Sequence, residues 1–119
     1  MRFLRNFSML FLLLSVTFLP AMVTTITAAD AKNHIGEQAT VCGNVASEKT
    51  ATSSRGEPTF INLDSAYPNQ VFTILVWGSD RKNVGELPRV GTRVCTSGMI
   101  QDYRGVPEIV VRSSRQLSQ

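Results

Sequence analysis

The chain has 119 residues, 43% of them hydrophobic, and a formal net charge of +3. Its length excludes a second domain once an export signal is set aside, since removing the first 29 of 119 residues leaves about 90. A strong overall positive field is excluded too: Arg2 and Arg5 leave with that signal, so ten Lys and Arg face nine Asp and Glu, a net charge near +1.

The first element is that signal. Arg2 and Arg5 precede an apolar run from Met9 to Leu19, and the segment ends in small residues. Such a sequence reads as a secretory signal peptide over residues 1–29, cut after Ala29 or after Ala31. An uncleaved anchor over Phe7 to Ile26 is the alternative, weakened by Pro20 and several hydroxyl residues. The expected location is periplasmic or secreted, with no membrane contact after cleavage. Residues 30–38 are expected as a flexible lead, 39–113 as the folded domain and 114–119 as a tail.

Within the domain, short strands alternate with turn chemistry. The first predicted strand runs from about Ala39 to Glu48, with Ala39, Val41, Gly43 and Val45 on one face, and a Ser/Thr-rich loop follows over Lys49 to Glu57. Thr59 to Leu63 and Val71 to Trp77 are the second and third, paired as a hairpin around Asp64 to Gln70. Ser79 is placed to cap a short helix ending by Pro88. The fourth strand runs from about Thr92 to Asp102, and Arg104-Gly105 turns the chain into the fifth, Pro107 to Arg112.

Cys42 and Cys95 are the only cysteines. In an exported chain two cysteines pair most simply as a disulfide, with two buried free thiols as the alternative. No metal is expected, because the cysteines and His34 lack close ligand spacing. No cofactor is expected either.

Three meandering strands, a small helix and a two-strand hairpin follow the order of an all-β, five-stranded OB-fold barrel with a helix between strands three and four. Gly43 and Gly98, each inside an alternating run, suit the bends that a small barrel needs. An SH3-like barrel shares enough of that order to compete. The sequence itself resembles small bacterial OB-fold domains of the nucleic-acid-binding type, found behind signal peptides and attached to exported nucleases. Val41-Cys42-Gly43 with Val45, PTFINLD followed by YPNQVFTILVWG, and GTRVCTSGMIQDYRGVPEIVV carry the resemblance, which covers nearly the whole mature chain. It implies nucleic-acid binding, although fold alone does not settle function.

OB-folds bind single strands on the face of strands two and three. Alternation places Ile61 and Leu63 inward and Phe60 and Asn62 outward; in strand three Phe72, Ile74 and Val76 form the core side, leaving Thr73 and Trp77 outward. Phe60 and Trp77 are therefore candidates to stack on bases, with Arg104 and Arg112 meeting phosphates. The competing reading has both aromatics closing the barrel. Tyr67 is expected to anchor its turn, Tyr103 either to pack over its hairpin or to stack, and Arg81 to face solvent. Asp64 and Asp80 read as turn and cap residues. No motif for phosphate cradling, nucleophilic attack or acid–base work is present, so the expectation is a non-catalytic module. Its partner is single-stranded DNA or RNA, or else a protein or envelope component, and its length favours a monomer.

Overall fold

A computed structural model of the chain describes residues 8–19 and 22–119. Arg2 and Arg5 of the predicted signal lie outside the described residues. Ser8 to Leu19 have no regular secondary structure and are exposed. Among the described residues, no helix is long and apolar enough to cross a membrane.

Eight strands are found among the described residues, not five: β1 (Thr24–Thr27), β2 (Gln38–Thr50), β3 (Thr59–Leu63), β4 (Phe72–Val76), β5 (Arg93–Met99), β6 (Gln101–Tyr103), β7 (Val106–Val110) and β8 (Leu117–Ser118). They form one curled sheet in the order β6-β7-β4-β3-β2-β5-β8, with β1 beside β2. A short helix, α1 (Arg81–Val84), lies between β4 and β5 as expected. It is preceded by a 3₁₀ turn over Gly78–Asp80 and has no side-chain cap, so Ser79 does not play the capping role expected of it.

The long strand β2 organises the sheet. Its first half pairs antiparallel with β5, its second half with β3, and the register shifts between Val45 and Ser47 where the strand bends from one to the other. Gly43 lies just before that bend. A Cβ there would stand 2.9 Å from Asp64 Oδ1 and 3.2 Å from the Cβ atoms of Ala28 and Leu63, so only glycine lets the layers close. Gly98 has the same role in β5, where a Cβ would lie 2.7 Å from Ile109 Cγ2 across the barrel.

The predicted fourth strand is two strands because Ile100 interrupts it. Ile100 is fully buried, its N–H donates to the Glu37 carbonyl at 2.9 Å, and its own carbonyl accepts from Gly36 N–H at 2.7 Å. The chain therefore leaves β2 at Met99 and resumes beside β7 at Gln101, which carries it from beside β2 to the far end of the sheet order and curls the sheet. β4 and β7 pair in parallel and complete an OB-like, all-β half-barrel. Phe72, Ile61, Leu63, Ile74, Ile109 and Val111 fill its interior, each fully buried. Cys42 and Cys95 face each other in the β2/β5 ladder and are joined by a disulfide.

The segments on either side of the expected domain join this body. Residues expected as a flexible lead continue a 3₁₀ helix, Ala28–Asn33, in which Ala28 and Ala31 are fully buried; Thr27 Oγ1 caps it by accepting from Asp30 N–H at 3.2 Å. Burial of two alanines against the core holds this segment where sequence alone offered no periodicity. The expected tail is also ordered: Ser114–Gln116 is a 3₁₀ turn and β8 pairs with β5. Gln116 Oε1 accepts from Arg112 N–H at 2.8 Å and Ser113 N–H at 3.3 Å, and Nε2 donates to the carbonyls of Ser97 at 3.0 Å and Val110 at 3.1 Å. One amide thus ties β5 to β7 where neither strand bonds the other.

His34 ends the N-terminal 3₁₀ helix between two carboxylates, Nδ1 at 2.6 Å from Glu37 Oε2 and Nε2 at 3.1 Å from Asp30 Oδ2. The Glu37 bond, followed by that to Asp30, raises the imidazole pKa, with desolvation opposing. A raised folded-state pKa means that the protonated ring holds the turn at low pH and that this support is lost as pH rises through the folded value. NMR titration of the His34 ring is expected to give a pKa above about 6.5, the ordinary imidazole value, and a lower one in Glu37→Gln. Equal values in the two proteins would contradict the arrangement.

Candidate nucleic-acid interface

The outward side of β3, β4, β6 and β7 is concave, and strand register sorts its side chains into rows. One row is polar throughout: Ser47, Asn62, Thr73, Glu108 and Gln101 stand opposite one another across five strands. Asn62 Nδ2 donates to Ser47 Oγ at 3.0 Å, Thr73 Oγ1 donates to Asn62 Oδ1 at 3.0 Å, and Gln101 Nε2 donates to Glu108 Oε1 at 2.9 Å. The neighbouring row is Lys49, Phe60, Leu75 and Val110, apolar except at its end. On the other flank Tyr103 pairs with Val106.

Phe60 divides this face into two cavities, of about 940 Å³ and 650 Å³, and lines both together with Tyr103 and Glu108. The larger has Leu75, Trp77, Val110 and Met99 along it, with Arg55 and Arg112 at its edge. The smaller is walled by Tyr67 and Pro68 against Tyr103, with Lys49 and Arg104 beside them. These four cations are exposed beside a floor that mixes aromatic and apolar side chains with the polar row and with Gln38, Ser97, Gln116 and Gln70, and the exposed Glu48 also lines the smaller cavity. Arg104 lies with its guanidinium carbon 5.3 Å from the centroid of the Tyr103 ring, which orients both at the rim. On the floor, burial pushes the Glu108 carboxyl above its ordinary pKa; Gln101 opposes this and the Asp102 charge adds to it.

All six side chains singled out by sequence lie on this face, but not in equal condition. Phe60 is half-buried between the cavities, and Arg104 and Arg112 are exposed at opposite ends. Asn62 and Thr73 point outward as alternation requires, yet they are only 3% and 5% exposed and spend their polar groups on each other and on Ser47. Neighbours from β2 and β7 cover them. They brace the floor more than they offer hydrogen bonds.

Trp77 serves two purposes. It is 37% exposed at the edge of the larger cavity, while its ring packs on Gly56, where a Cβ would come within 2.9 Å of Cε3. Gly78 N–H donates to the Gly56 carbonyl at 2.9 Å, and Arg81 Nη2 reaches the Glu57 carbonyl at 3.2 Å and its carboxylate at 3.3 Å. Arg81 is therefore a clamp on the 51–58 loop and not simply a solvated charge. Asp64 is a turn residue, with φ +65° and Oδ1 accepting from Asn44 N–H at 2.9 Å.

Tyr67, expected to anchor its turn, is 73% exposed over the smaller cavity, which Glu108 and Gln70, not singled out by sequence, also line. Glu108 carried a usable signal: in Pro107-Glu108-Ile109-Val110 it alternates with a core isoleucine and so must face out. Among the described residues, no three His, Cys, Asp or Glu side chains gather as a metal site.

No family model matches the chain, and no curated protein matches it. Among solved structures it is similar to one described as an aspartyl-tRNA synthetase from Leishmania major Friedlin, with 12% identity and a TM-score of 0.53, over 88% of this chain and 22% of that one. This chain therefore spans about a fifth of that structure's length. What the two share is the fold.

Proposed function

We propose that this protein is an exported, monomeric, non-catalytic OB-fold module that binds single-stranded nucleic acid across the outer face of β3, β4, β6 and β7. The observation that carries this reading is the concave face itself: Phe60, Tyr67 and Tyr103 line its cavities, while Lys49, Arg55, Arg104 and Arg112 stand at the rims. Aromatic rings beside a cationic border suit a ligand with flat bases and a phosphate backbone. The fold shared with part of a protein whose name ties it to tRNA supports the same reading. Titrating a labelled single-stranded oligonucleotide at two salt concentrations tests it. Binding at low salt that weakens at high salt is expected, and none at low salt would remove the proposal.

Export carries a consequence for processing. β1 and the 3₁₀ helix after it pack into the body, with Ile26 against the core and Ala28 fully buried, so a cut after Ala29 or Ala31 would remove β1 and Ala28 and break the helix. In this reading the signal ends before Thr24. Intact mass of the exported protein should give an N-terminus at or before Thr24; a chain starting at Asp30 would contradict it.

A further inference from the structure

The larger cavity has one wall that the barrel strands do not build. Residues 52–57 are all exposed and bury nothing in the core, yet their loop brings Ser54 and Arg55 to the cavity beside Trp77. Its backbone takes a form that the chain does not favour unaided: Gly56 has φ +79°, and Glu57, which carries a Cβ, has φ +43°. Ala51 N–H donates to the Pro58 carbonyl at 2.9 Å and Glu57 N–H to the Ser54 carbonyl at 3.0 Å, which closes the base and the turn. The tip is tied to the rest of the molecule by the segment that follows β4.

Three residues of that segment make the tie. The Trp77 ring lies against Gly56, Gly78 N–H donates to the Gly56 carbonyl at 2.9 Å, and Arg81 Nη2 donates to the Glu57 carbonyl at 3.2 Å and to its carboxylate at 3.3 Å. Glycine is needed on both sides of the contact. A Cβ on Gly56 would stand 2.9 Å from Trp77 Cε3, and one on Gly78 would stand 2.9 Å from both Arg81 Nη2 and the Gly56 carbonyl oxygen. Two close backbone approaches and a two-acceptor guanidinium thus serve a loop whose exposed tip adds no core residue, and releasing such a tip costs a fold little. What the tie preserves is the place of Arg55 beside the indole.

We propose that Arg81, which lines neither cavity, is a positioning residue for the larger one: it latches the 51–58 loop so that Arg55 stands beside Trp77 to meet a phosphate of the bound single strand. This role rests on the single-strand reading above and deepens it. A strand whose base lies against Trp77 finds the cation already in place, and no loop has to be ordered when it binds.

The test uses the mature protein, a labelled oligodeoxythymidine, and the variants Arg81→Ala, Gly78→Ala, Arg55→Ala and Arg55→Ala/Arg81→Ala, each first shown to be folded. Trp77 is the only tryptophan, so acrylamide quenching of the free proteins reads the latch directly, and it should be stronger in Arg81→Ala and in Gly78→Ala than in the natural protein. At low salt Arg55→Ala and Arg81→Ala should each bind about two- to fivefold more weakly, the order of one exposed charge pair. Each should also lower the steepness of log affinity against log salt by about 0.7, the share of one phosphate contact on a single strand. Gly78→Ala keeps every charge and should show the same losses, because its Cβ displaces the guanidinium. The double variant should bind as Arg55→Ala does, since Arg81 acts through Arg55. Natural affinity in Arg81→Ala or in Gly78→Ala overturns the latch and leaves the single-strand reading standing. Unchanged quenching in both, or losses that multiply in the double variant, overturn it as well. If the natural protein binds no strand at low salt, the single-strand reading fails and the role of Arg81 in it fails too.

Discussion

Replacing Cys42 and Cys95 together by alanine is expected to cost about 4 kcal/mol of stability, because the disulfide closes a separation of 53 residues and the unfolded chain regains that loop entropy. For a domain of this size the whole stability is on the order of 5–14 kcal/mol, so the loss is a large share. The bridge lies within the β2/β5 ladder, where seven residue pairs from Gln38↔Met99 to Asn44↔Arg93 are aligned. Register itself does not depend on the bridge, since Val41 and Val94 anchor both strands in the core. The double variant should therefore keep its strand content and unfold at lower denaturant. Denaturant unfolding of both proteins under non-reducing conditions checks this, and equal midpoints would contradict it.

Truncating Phe60 to alanine is the substitution expected to damage binding most. Its ring stands between the two cavities and lines both, so a strand crossing the face must pass over it. Stacking is worth about 1–3 kcal/mol per base, which corresponds to a loss of roughly 5- to 150-fold in affinity. Phe60 is half-buried beside Leu75, so part of the cost falls on the fold. Tyr67→Ala provides the comparison free of that cost, because Tyr67 is 73% exposed. Oligonucleotide titration of both variants, each first shown to be folded, should find binding weakened in both and more so in Phe60→Ala. Natural affinity in both would remove the aromatic platform from the account.

Much of this face was legible because a strand has a period of two and its core side is demanding. In PTFINLD and in VFTILVW, placing Ile61, Leu63, Phe72, Ile74 and Val76 inward forces Phe60, Asn62, Thr73 and Trp77 outward, and the structure follows that sorting. The fate of the outward residues was not legible. Asn62 and Thr73 are covered because register sets Ser47 and Glu108 beside them, and register between distant strands is a tertiary property. The same limit hid Gln116, whose four hydrogen bonds join residues from 97 to 113. The break at Ile100 likewise needed the Gly36–Glu37 turn to receive it. Local alternation reads faces well, and it says nothing of what a face will meet.

In the proposed binding mode, cations at the rim and aromatic rings on the floor together hold a single strand. Titrating the mature protein with a labelled single-stranded oligonucleotide at low and at raised salt measures both parts at once. Four rim cations, Lys49, Arg55, Arg104 and Arg112, set an upper limit to phosphate contacts. Each phosphate contact on a single strand contributes about −0.7 to the slope of log affinity against log salt, so binding at low salt should fall with a slope of about −2 to −3. No binding at low salt, or binding indifferent to salt, would contradict the claim.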